Sequence, residues 1–361
     1  MTKLGAITLT RQGVDICRRI QGAVPACEVF VARKYNAIAP AQWRRFDGKL
    51  APLVQEIFGA YEGLIFVMAT GIVVRTIAPF IVDKRYDPGI VVVDIAGRFA
   101  ISLCAGHLGG ANQLANELGA ILGAMPVVTT GTDVNQTLAP DMLAKELGAE
   151  IENWEALKTV SGMLVDGEPV AVFAEDGVGL PDLERFAAKG VSRIASLDEL
   201  DGRFRAAVVI SHRIVAAQTP AELPTLWMRP KSLIVGVGCD RGTTVEEIER
   251  AFERVLLDNG LSPLSVRNLA TYALKKDEPG LCAFAQKRGL TLRAFEREEI
   301  NRVEHLIPNP SPTVLKHAGV LGVAEPAAML GAGAQTVLVP KRKCGRVTIA
   351  IALIEEGRAA C

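Results

Sequence analysis

Short apolar runs that alternate with amphipathic stretches limit the folds open to this chain more than any other feature of its sequence. GLIFVMAT (63–70), GIVVVDIAG (89–97) and LIVGVG (233–238) are each about as long as one buried strand. Between such runs, stretches such as LAPLVQEIFGAY (50–61) repeat their apolar residues with the period of a helix. Apolar residues make up 49% of the chain and aromatic residues only 5%, which suits strands buried on both faces. The pattern predicts an α/β fold with mostly parallel sheets.

The length of 361 residues exceeds what one small core supports and predicts several domains. We expect an N-terminal domain over 1–136, a small α/β middle domain over 137–228 and a C-terminal domain over 229–361. The first and the last are predicted to be αβα layered. The Pro-rich stretch TPAELPTLWMRPKS (219–232) is predicted to be a linker. Three short strands of the middle domain are expected within PVAVFAED, SRIASL and AAVVISHRI.

Charge, cysteine use and hydropathy exclude several classes of protein. Forty basic residues balance forty acidic ones, which argues against a dedicated nucleic-acid binder. The apolar runs are too short for a membrane span, and the N-terminal stretch reads as a strand rather than an export signal. Seven cysteines without a C-x-x-C pair favour a reducing cytoplasm. No H-x-x-H, H-E-x-x-H or paired-cysteine motif offers a metal site.

The stretch CAGHLGGANQLANELG (104–119) places one histidine among glycines, directly before a predicted helix. Its glycines would let a ligand approach the backbone, and Asn112 falls in the first turn of the helix. His107 would stand at the positive end of that helix, where a neutral imidazole is favoured and can act as a base or donor. A structural hydrogen bond within the loop is an equally good interpretation. The predicted binding glycines of this stretch are Gly106, Gly109 and Gly110.

Three further segments are predicted to end on the same sheet edge as His107, where ligands of open α/β sheets bind: ATGIVVR, DKRYDPG beyond it, and TTGTDVNQ. ATGIVVR carries Thr70 and Arg75, and TTGTDVNQ carries Thr130 and Asp133. Asp133 could orient His107 or accept a proton, or it could form an Asx turn or N-cap. Arg75, together with the nearby Lys84 and Arg85, could pair with substrate carboxylates. For the latter two cations, a solvated loop is the stronger alternative.

The stretch GVGCDRGTT (236–244) follows a predicted strand and opens a predicted helix. Its glycine spacing departs from the dinucleotide fingerprint G-x-G-x-x-G, so a nicotinamide site is disfavoured. Free backbone N–H groups at a helix start can bind a carboxylate. The alternative is a plain turn in which Thr243 or Thr244 caps the helix. The predicted binding residues here are Gly236, Gly238, Arg241 and Thr243.

Two further C-terminal features are singled out. Glu325 lies among apolar residues, where a carboxyl has a raised pKa and can take part in proton transfer. An equally good interpretation is a helix N-terminal acid just before Pro326. The basic run PKRKCGR (340–346) is predicted to be a hairpin loop.

Several of these motifs together resemble one family. TGIVVRTIAP, DPGIVVVD, GHLGGANQLA and PVVTTGTDVNQ follow one another as they do in the cobalt-precorrin-5A hydrolases of cobalamin synthesis. VGVGCDRGT, KKDEPGL and GVAEPAAMLGAG resemble the C-terminal domain of that family. The resemblance covers both ends of the chain and is poor over 140–228. The chain departs from the family at Ala105, which is more often serine, and keeps His107, Asn112 and Asp133.

The resemblance implies a reaction on a cobalt-bearing, ring-contracted tetrapyrrole. Water opens a δ-lactone, and the two-carbon fragment leaves as acetaldehyde. Cobalt comes with the substrate, so we expect no cofactor bound by the protein itself. The expected partner is this corrinoid small molecule, with other cobalamin-pathway enzymes suggested by family context. A homodimer is compatible with the sequence, whereas nucleic acid and membrane are not expected.

The residues then suggest roles in such a reaction. His107 or a nearby acid would activate the water, and backbone N–H groups around 106–110 would stabilise the oxyanion. Glu325 would manage a proton. Two alternatives remain open at this point: a tetrapyrrole-binding or hand-over protein without catalysis, and a nicotinamide-dependent enzyme that uses GVGCDRG.

Overall fold

The computed structural model describes residues 3–47, 49–215, 218–308, 310, 315–316 and 319–354. The chain divides into two compact units, residues 1–142 and 143–361. Each unit is built from short buried strands connected by helices. Among the described residues, no helix has both the length and the apolar character needed to cross a membrane.

The N-terminal unit has one seven-stranded sheet in the order β3-β2-β1-β4-β5-β6-β7. Its central strands β1, β4 and β5 are buried along their whole length, as expected for strands covered on both faces. Helices α1 and α4 pack on one face, and α2 and α3 pack on the other. The elements are β1 (Leu4–Thr8), α1 (Arg11–Ala23), β2 (Glu28–Ala32), β3 (Arg44–Phe46), α2 (Leu50–Ile57), β4 (Gly63–Val67), α3 (Thr70–Ile77), β5 (Gly89–Val93), β6 (Phe99–Cys104), α4 (Ala111–Leu122), β7 (Met125–Val127), α5 (Gly131–Val134) and α6 (Pro140–Glu146).

The direction of the chain reverses between β5 and β6. The Asp94 carboxylate accepts hydrogen bonds from the N–H groups of Arg98 and Phe99, and Gly97 turns the chain at a φ of 66°. Strand β6 therefore runs antiparallel to β5, and β7 runs parallel to β6. The carboxyl ends of β6 and β7 consequently lie at the edge where β4 and β5 begin.

This reversal corrects the prediction that Thr70 and Arg75 share a sheet edge with His107. Thr70 follows β4 at the opposite edge, because β4 and β6 run in opposite directions. The Arg75 guanidinium donates back to the carbonyl of Gly71, 2.9 Å away, near the start of α3. The shared edge was expected for strands that all run in one direction, and the turn at Gly97 reverses β6 relative to β4.

The second unit begins with a five-stranded sheet in the order β10-β9-β11-β12-β8. Its neighbouring strands are parallel except for the pair β12 and β8. Helix α7 packs against β9, β11 and β12. The elements are β8 (Ala149–Ile151), α7 (Trp154–Val165), β9 (Val170–Ala174), β10 (Val191–Ile194), β11 (Ala206–Ile210) and β12 (Thr225–Pro230).

Strand β12 overturns part of the linker prediction. It lies inside the sheet between β11 and β8, with Leu226 and Met228 fully buried. Its proline, Pro230, is the last residue of the strand, next to the short outer strand β8. The prolines of the stretch signalled a break in the chain, but the apolar residues between them form a strand. The strand also spans the boundary expected at 228.

The C-terminal sheet has the order β15-β14-β13-β17-β16, with β17 antiparallel to both of its neighbours. Helices α8 and α9 contribute to the core on one face, and α10 and α11 to the core on the other. The first and last domains are thus αβα layered with mostly parallel sheets, as predicted. The elements are β13 (Leu233–Cys239), α8 (Val245–Asp258), β14 (Val266–Tyr272), α9 (Pro279–Arg288), β15 (Thr291–Phe295), α10 (Arg297–Arg302), α11 (Ala324–Ala332), β16 (Val339–Cys344) and β17 (Val347–Leu353).

The basic run PKRKCGR is a strand for most of its length, which corrects the prediction of a loop. Residues 340–344 belong to β16, and only Gly345 and Arg346 form the turn to β17. Strand β16 lies at the sheet edge, where lysine and arginine discourage pairing with another chain.

Candidate active site

His107 lies just beyond β6, and both nitrogens of its ring contact carboxylates. Nδ1 is 3.0 Å from Asp141 Oδ1, and Nε2 is 2.8 Å from Asp133 Oδ2. The Thr132 hydroxyl is also 3.1 Å from Nε2. We call Asp133, His107 and Asp141 the trio. Asp133 lies in α5, which follows β7, and Asp141 lies in the first turn of α6.

Asn112 fixes the outer carboxylate of the trio. Its amide Nδ2 donates to Asp133 Oδ2 at 2.9 Å and to the Thr130 hydroxyl at 3.0 Å. Its Oδ1 accepts a hydrogen bond from the Ser102 hydroxyl at 2.6 Å. A Cβ at Gly106 would stand 2.6 Å from this same Oδ1. Gly106 therefore makes room for the Asn112 side chain, and the predicted grouping of these residues with His107 is confirmed.

The electrostatics of His107 differ from the expectation of a neutral ring. The hydrogen bond to Asp141 raises the pKa of His107, burial opposes the rise, and the hydrogen bond to Asp133 adds to it. Two facing carboxylates thus favour the imidazolium, which donates from both nitrogens.

The helix start near His107 does not oppose this charge, because the loop itself occupies it. The N–H groups of Ala111 and Asn112 donate to the carbonyls of Ala105 and Gly106. The N–H of Gly110 donates to the carbonyl of His107 at 2.9 Å. The positive end of α4 is therefore satisfied within the chain, and Gly110 does not offer its N–H to a ligand.

The three side chains of the trio become more exposed from Asp141 through His107 to Asp133. Burial disfavours the ionised Asp141 carboxyl, but the hydrogen bond and charge of His107, with Lys84 and the Met142 N–H, hold its pKa below the usual range. The exposed fraction of the side chain is 8% for Asp141, 13% for His107 and 44% for Asp133. Asp133 is therefore the member that a substrate or water reaches most easily.

The other two glycines of this loop have different surroundings. A Cβ at Gly109 would meet Ala105 Cβ at 2.5 Å and Asp87 O at 2.9 Å, so the chain itself packs against Gly109. Gly110 has a φ of 80° and open space beside it. Ala105 adopts a φ of 53°, a left-handed conformation that costs a non-glycine residue about 1 kcal/mol. The tight path of the loop thus depends on packing around Gly109, and ligand contact by either glycine stays a prediction.

The second glycine-rich stretch, 236–244, is also closed by its own chain. A Cβ at Gly236 would stand 1.8 Å from Ala324 O, and one at Gly238 would stand 2.5 Å from Thr348 Oγ1. Both glycines therefore permit close packing of the chain against strand β13. Thr244 caps α8 in a capping box with Glu247, which confirms the turn interpretation.

The remaining predicted residues of that stretch also bond within the protein. The Thr243 hydroxyl donates to the carbonyl of Asp240 at 2.8 Å, and the exposed Arg241 accepts a bond from Arg346 at its carbonyl. The N–H of Gly242 donates to Glu278 Oε1 at 2.6 Å. The helix start predicted to bind a substrate carboxylate thus holds a carboxylate of the chain itself, and substrate contact here stays a prediction.

Glu325 lies in the second unit, in the first turn of α11 and directly before Pro326. Its side chain is buried, and Oε1 accepts a hydrogen bond from the Lys341 N–H at 3.0 Å. Glu325 is therefore both a buried carboxyl and an acid at a helix N-terminus, the two interpretations made from the sequence. Its role in proton transfer stays a prediction.

Sequence reasoning missed Asp141. The only local signal is an acid directly after Pro140, which is ordinary for a helix N-terminus. Nothing local connects it with a histidine in a distant loop. Among the described residues, no group of three or more His, Cys, Asp or Glu side chains is arranged to hold a metal ion.

Three family models match the chain in succession. Cobalamin synthesis G N-terminal matches 52–133, cobalamin biosynthesis central region matches 138–230, and cobalamin synthesis G C-terminus matches 233–352. The family match thus extends through residues 138–230, where the resemblance of the sequence motifs is poor.

Curated relatives match over nearly the whole chain. The cobalt-precorrin-5A hydrolase of Priestia megaterium is 37% identical over 353 residues, which are 96% of this chain and 94% of the relative. That of Salmonella typhimurium strain LT2 is 35% identical over 328 residues, 89% of this chain and 90% of the relative. A solved cobalamin biosynthesis protein G homolog from Sulfolobus solfataricus is 22% identical, with 98% and 97% of the chains covered and a TM-score of 0.37. From the sequence relatives and the ordered family models, the chain belongs to the cobalt-precorrin-5A hydrolase family.

Proposed function

We propose that this protein is a cobalt-precorrin-5A hydrolase, which opens the δ-lactone of the ring-contracted cobalt corrinoid and releases acetaldehyde. The relatives of that name cover both units of the chain. The observation that carries the proposal is the trio, a histidine held between a buried and an exposed carboxylate. This is an arrangement suited to general acid–base catalysis on water.

Asp133 is the general base in this proposal. Its side chain is the most exposed of the trio, and Asn112 and His107 hold one of its oxygens at a fixed position. A water between Asp133 and the lactone carbonyl gives up its proton to the carboxylate as it attacks. His107 and the buried Asp141 lie behind Asp133, and His107 keeps a positive charge next to it.

Proton transfer to Asp133 also makes a hydrogen-bond donor available for the oxyanion of the tetrahedral intermediate. Once Asp133 is protonated, it accepts less strongly from His107 Nε2, and this N–H can donate to the tetrahedral oxyanion instead. Asp141 continues to hold Nδ1, so the ring keeps its orientation. In this proposal His107 takes the place of the backbone N–H of Gly110 as the oxyanion donor, because that N–H already donates to the carbonyl of His107.

The atoms of the reaction balance with one water. The hydroxyl adds to the lactone carbonyl, the ester C–O bond breaks, and a carboxylic acid and an alkoxide result. The alkoxide collapses to acetaldehyde as its C–C bond to the macrocycle breaks, and the electron pair stays on the macrocycle. The proton taken from water, held by Asp133, is returned to the macrocycle. The enzyme is therefore a hydrolase that acts on a carbon–carbon bond.

The substrate brings its own cobalt, and this mechanism requires no cofactor of the protein. The proposed catalytic residues all lie in the N-terminal unit. Thr130 and Gly106 act through Asn112, which they position.

The test is acetaldehyde release from the cobalt-containing lactone substrate, prepared anaerobically and coupled to alcohol dehydrogenase and NADH. We expect release that is proportional to the amount of protein and falls at least a hundredfold in Asp133→Asn. A change in the corrinoid spectrum without acetaldehyde would contradict the proposal and favour a binding or hand-over protein.

A further inference from the structure

The loop of residues 81–87 exposes an unusual amount of apolar surface. Val82 is 86% exposed, Tyr86 is 77% exposed and Ile81 is 43% exposed. Large apolar side chains clustered on a surface often mark a binding site. Residues 81–87 are called the platform loop below.

The platform loop has a well-defined conformation. Buried Asp87 accepts a hydrogen bond from the Val82 N–H at 3.1 Å, and the carbonyl of Asp83 accepts from the N–H groups of Tyr86 and Asp87 at 2.9 Å. Asp83 also forms an ion pair with Arg85 at 2.6 Å, and the Arg85 guanidinium lies 5.2 Å from the centre of the Tyr86 ring. The exposed apolar side chains are therefore presented by an internally bonded loop.

The platform loop is joined to the loop that carries His107. A Cβ at Gly109 would stand 2.9 Å from the carbonyl oxygen of Asp87, and one at Gly89 would stand 2.3 Å from that of Gly109. The Lys84 ammonium is near enough to help lower the pKa of Asp141. The platform loop thus packs against the loop that carries His107, and Lys84 lies on the side of Asp141.

Two kinds of chemistry meet at the platform loop. Val82 and Tyr86 offer apolar surface, and the exposed Lys84 offers a positive charge between them in sequence. A corrinoid with free carboxylates combines the same two features, an apolar macrocycle face and negative charges around its rim. Exposed apolar side chains with a cation among them match that ligand.

We propose that the platform loop binds the macrocycle of the corrinoid substrate, with Val82 and Tyr86 against the ring face and Lys84 paired with a peripheral carboxylate. This proposal rests on the proposed function, because it assigns a binding surface for that substrate. It makes these three side chains determinants of affinity, while the trio performs the chemistry.

The test compares the double variant Val82→Ser/Tyr86→Ser with Leu257→Ser. Leu257 is 71% exposed on α8 in the other unit, so it controls for the loss of an exposed apolar side chain. Calorimetry with cobyrinic acid, a cobalt corrin with free carboxylates, gives the affinity without turnover. We expect a Kd about tenfold higher or more in the double variant and no change in Leu257→Ser.

The charge is tested separately with Lys84→Ala. This variant should bind cobyrinic acid more weakly, by about threefold to tenfold at low salt, and should bind the heptamethyl ester of cobyrinic acid as the wild type does. Steady-state kinetics on the lactone substrate should show a raised KM in the double variant, with kcat within about threefold of the wild type.

The outcomes separate this proposal from the proposed function. Weaker corrin binding in the double variant, with no acetaldehyde from the wild type, supports the platform loop and contradicts hydrolysis. Normal turnover with an unchanged Kd and KM in the double variant overturns the platform loop and leaves hydrolysis intact. A wild-type dimer that becomes a monomer in the double variant, with unchanged corrin binding, also overturns it and assigns the surface to a second copy.

Discussion

Two glycine-rich turns, 104–112 and 236–244, connect a strand to a helix in the two units, and their surroundings are different. In the first, His107 stands between carboxylates that come from α5 and α6. In the second, Glu278 accepts a hydrogen bond from the Gly242 N–H, and Ala324 and Thr348 lie against the glycines. The first turn leaves a partly exposed acid–base group, whereas the second is occupied by its own chain.

The difference shows what a glycine-rich turn does and does not indicate. Glycine permits close approach to the backbone, and the approaching group can be a ligand or another part of the protein. Gly236 admits the backbone of Ala324, and Gly106 admits the amide of Asn112. Chemical function depends on which polar side chains other segments bring to the turn.

The largest effect expected from the comparison is on catalysis at the first turn. His107→Asn removes the cation beside Asp133 and should lower kcat by about 10² to 10⁴-fold, measured as acetaldehyde release. His305→Asn is the matched control, because His305 is exposed in the second unit. Equal rates in the two variants would show that the first turn has no catalytic role.

At the second turn, the largest expected effect of a substitution is on the stability of the protein. Gly236→Ala places a Cβ against Ala324 O and should lower the free energy of unfolding by about 2 to 3 kcal/mol. Gly162→Ala, in α7 of the same unit and with open space beside it, should raise that free energy by about 0.5 kcal/mol. Denaturant unfolding measures both variants. A stable Gly236→Ala would mean that the turn is less tightly packed than described.

The charge on His107 provides a finer test of the first turn. Asp141 is the principal cause of the raised pKa, so Asp141→Asn should lower the pKa of His107 more than Asp133→Asn does. NMR titration of ¹⁵N-labelled histidine rings can measure this, because the chain has only four histidines. If Asp133→Asn lowered the pKa of His107 more than Asp141→Asn, Asp133 and not Asp141 would be the principal cause of the raised pKa.

The same pKa shifts predict a small pH dependence of stability. The His107 pKa is raised, so its stabilisation is complete below the ordinary value of 6.5 and is lost as pH rises through the raised value. The Asp141 pKa is lowered, so its stabilisation is complete above 3.8 and is lost as pH falls through the lowered value. The difference in Tm between wild type and His107→Gln should therefore narrow as the solution becomes alkaline. A difference that widens would contradict the imidazolium.

Much of the fold could be predicted from the sequence, since buried strands and amphipathic helices have distinct periods. Strand β12 was missed because Pro224 precedes it and Pro230 ends it, and both prolines signal a break locally. Its pairing with β11 is a tertiary effect. The site could be predicted only in part. His107 and Asp133 stand in unusual local sequence, whereas Asp141 has an ordinary helix-start context and acquires its role through folding.

The most direct measurement compares two carboxylates, one that another segment of the chain brings to each turn. Asp133→Asn and Glu278→Gln each remove one negative charge. Asp133 accepts a hydrogen bond from Asn112 of the first turn, and Glu278 accepts one from the Gly242 N–H of the second. Acetaldehyde release should fall at least a hundredfold in Asp133→Asn and stay within about threefold of the wild type in Glu278→Gln. Corrinoid binding should persist in both variants. Acetaldehyde release that is unchanged in Asp133→Asn would contradict the assignment of catalysis to the trio. So would a loss of release that is larger in Glu278→Gln than in Asp133→Asn.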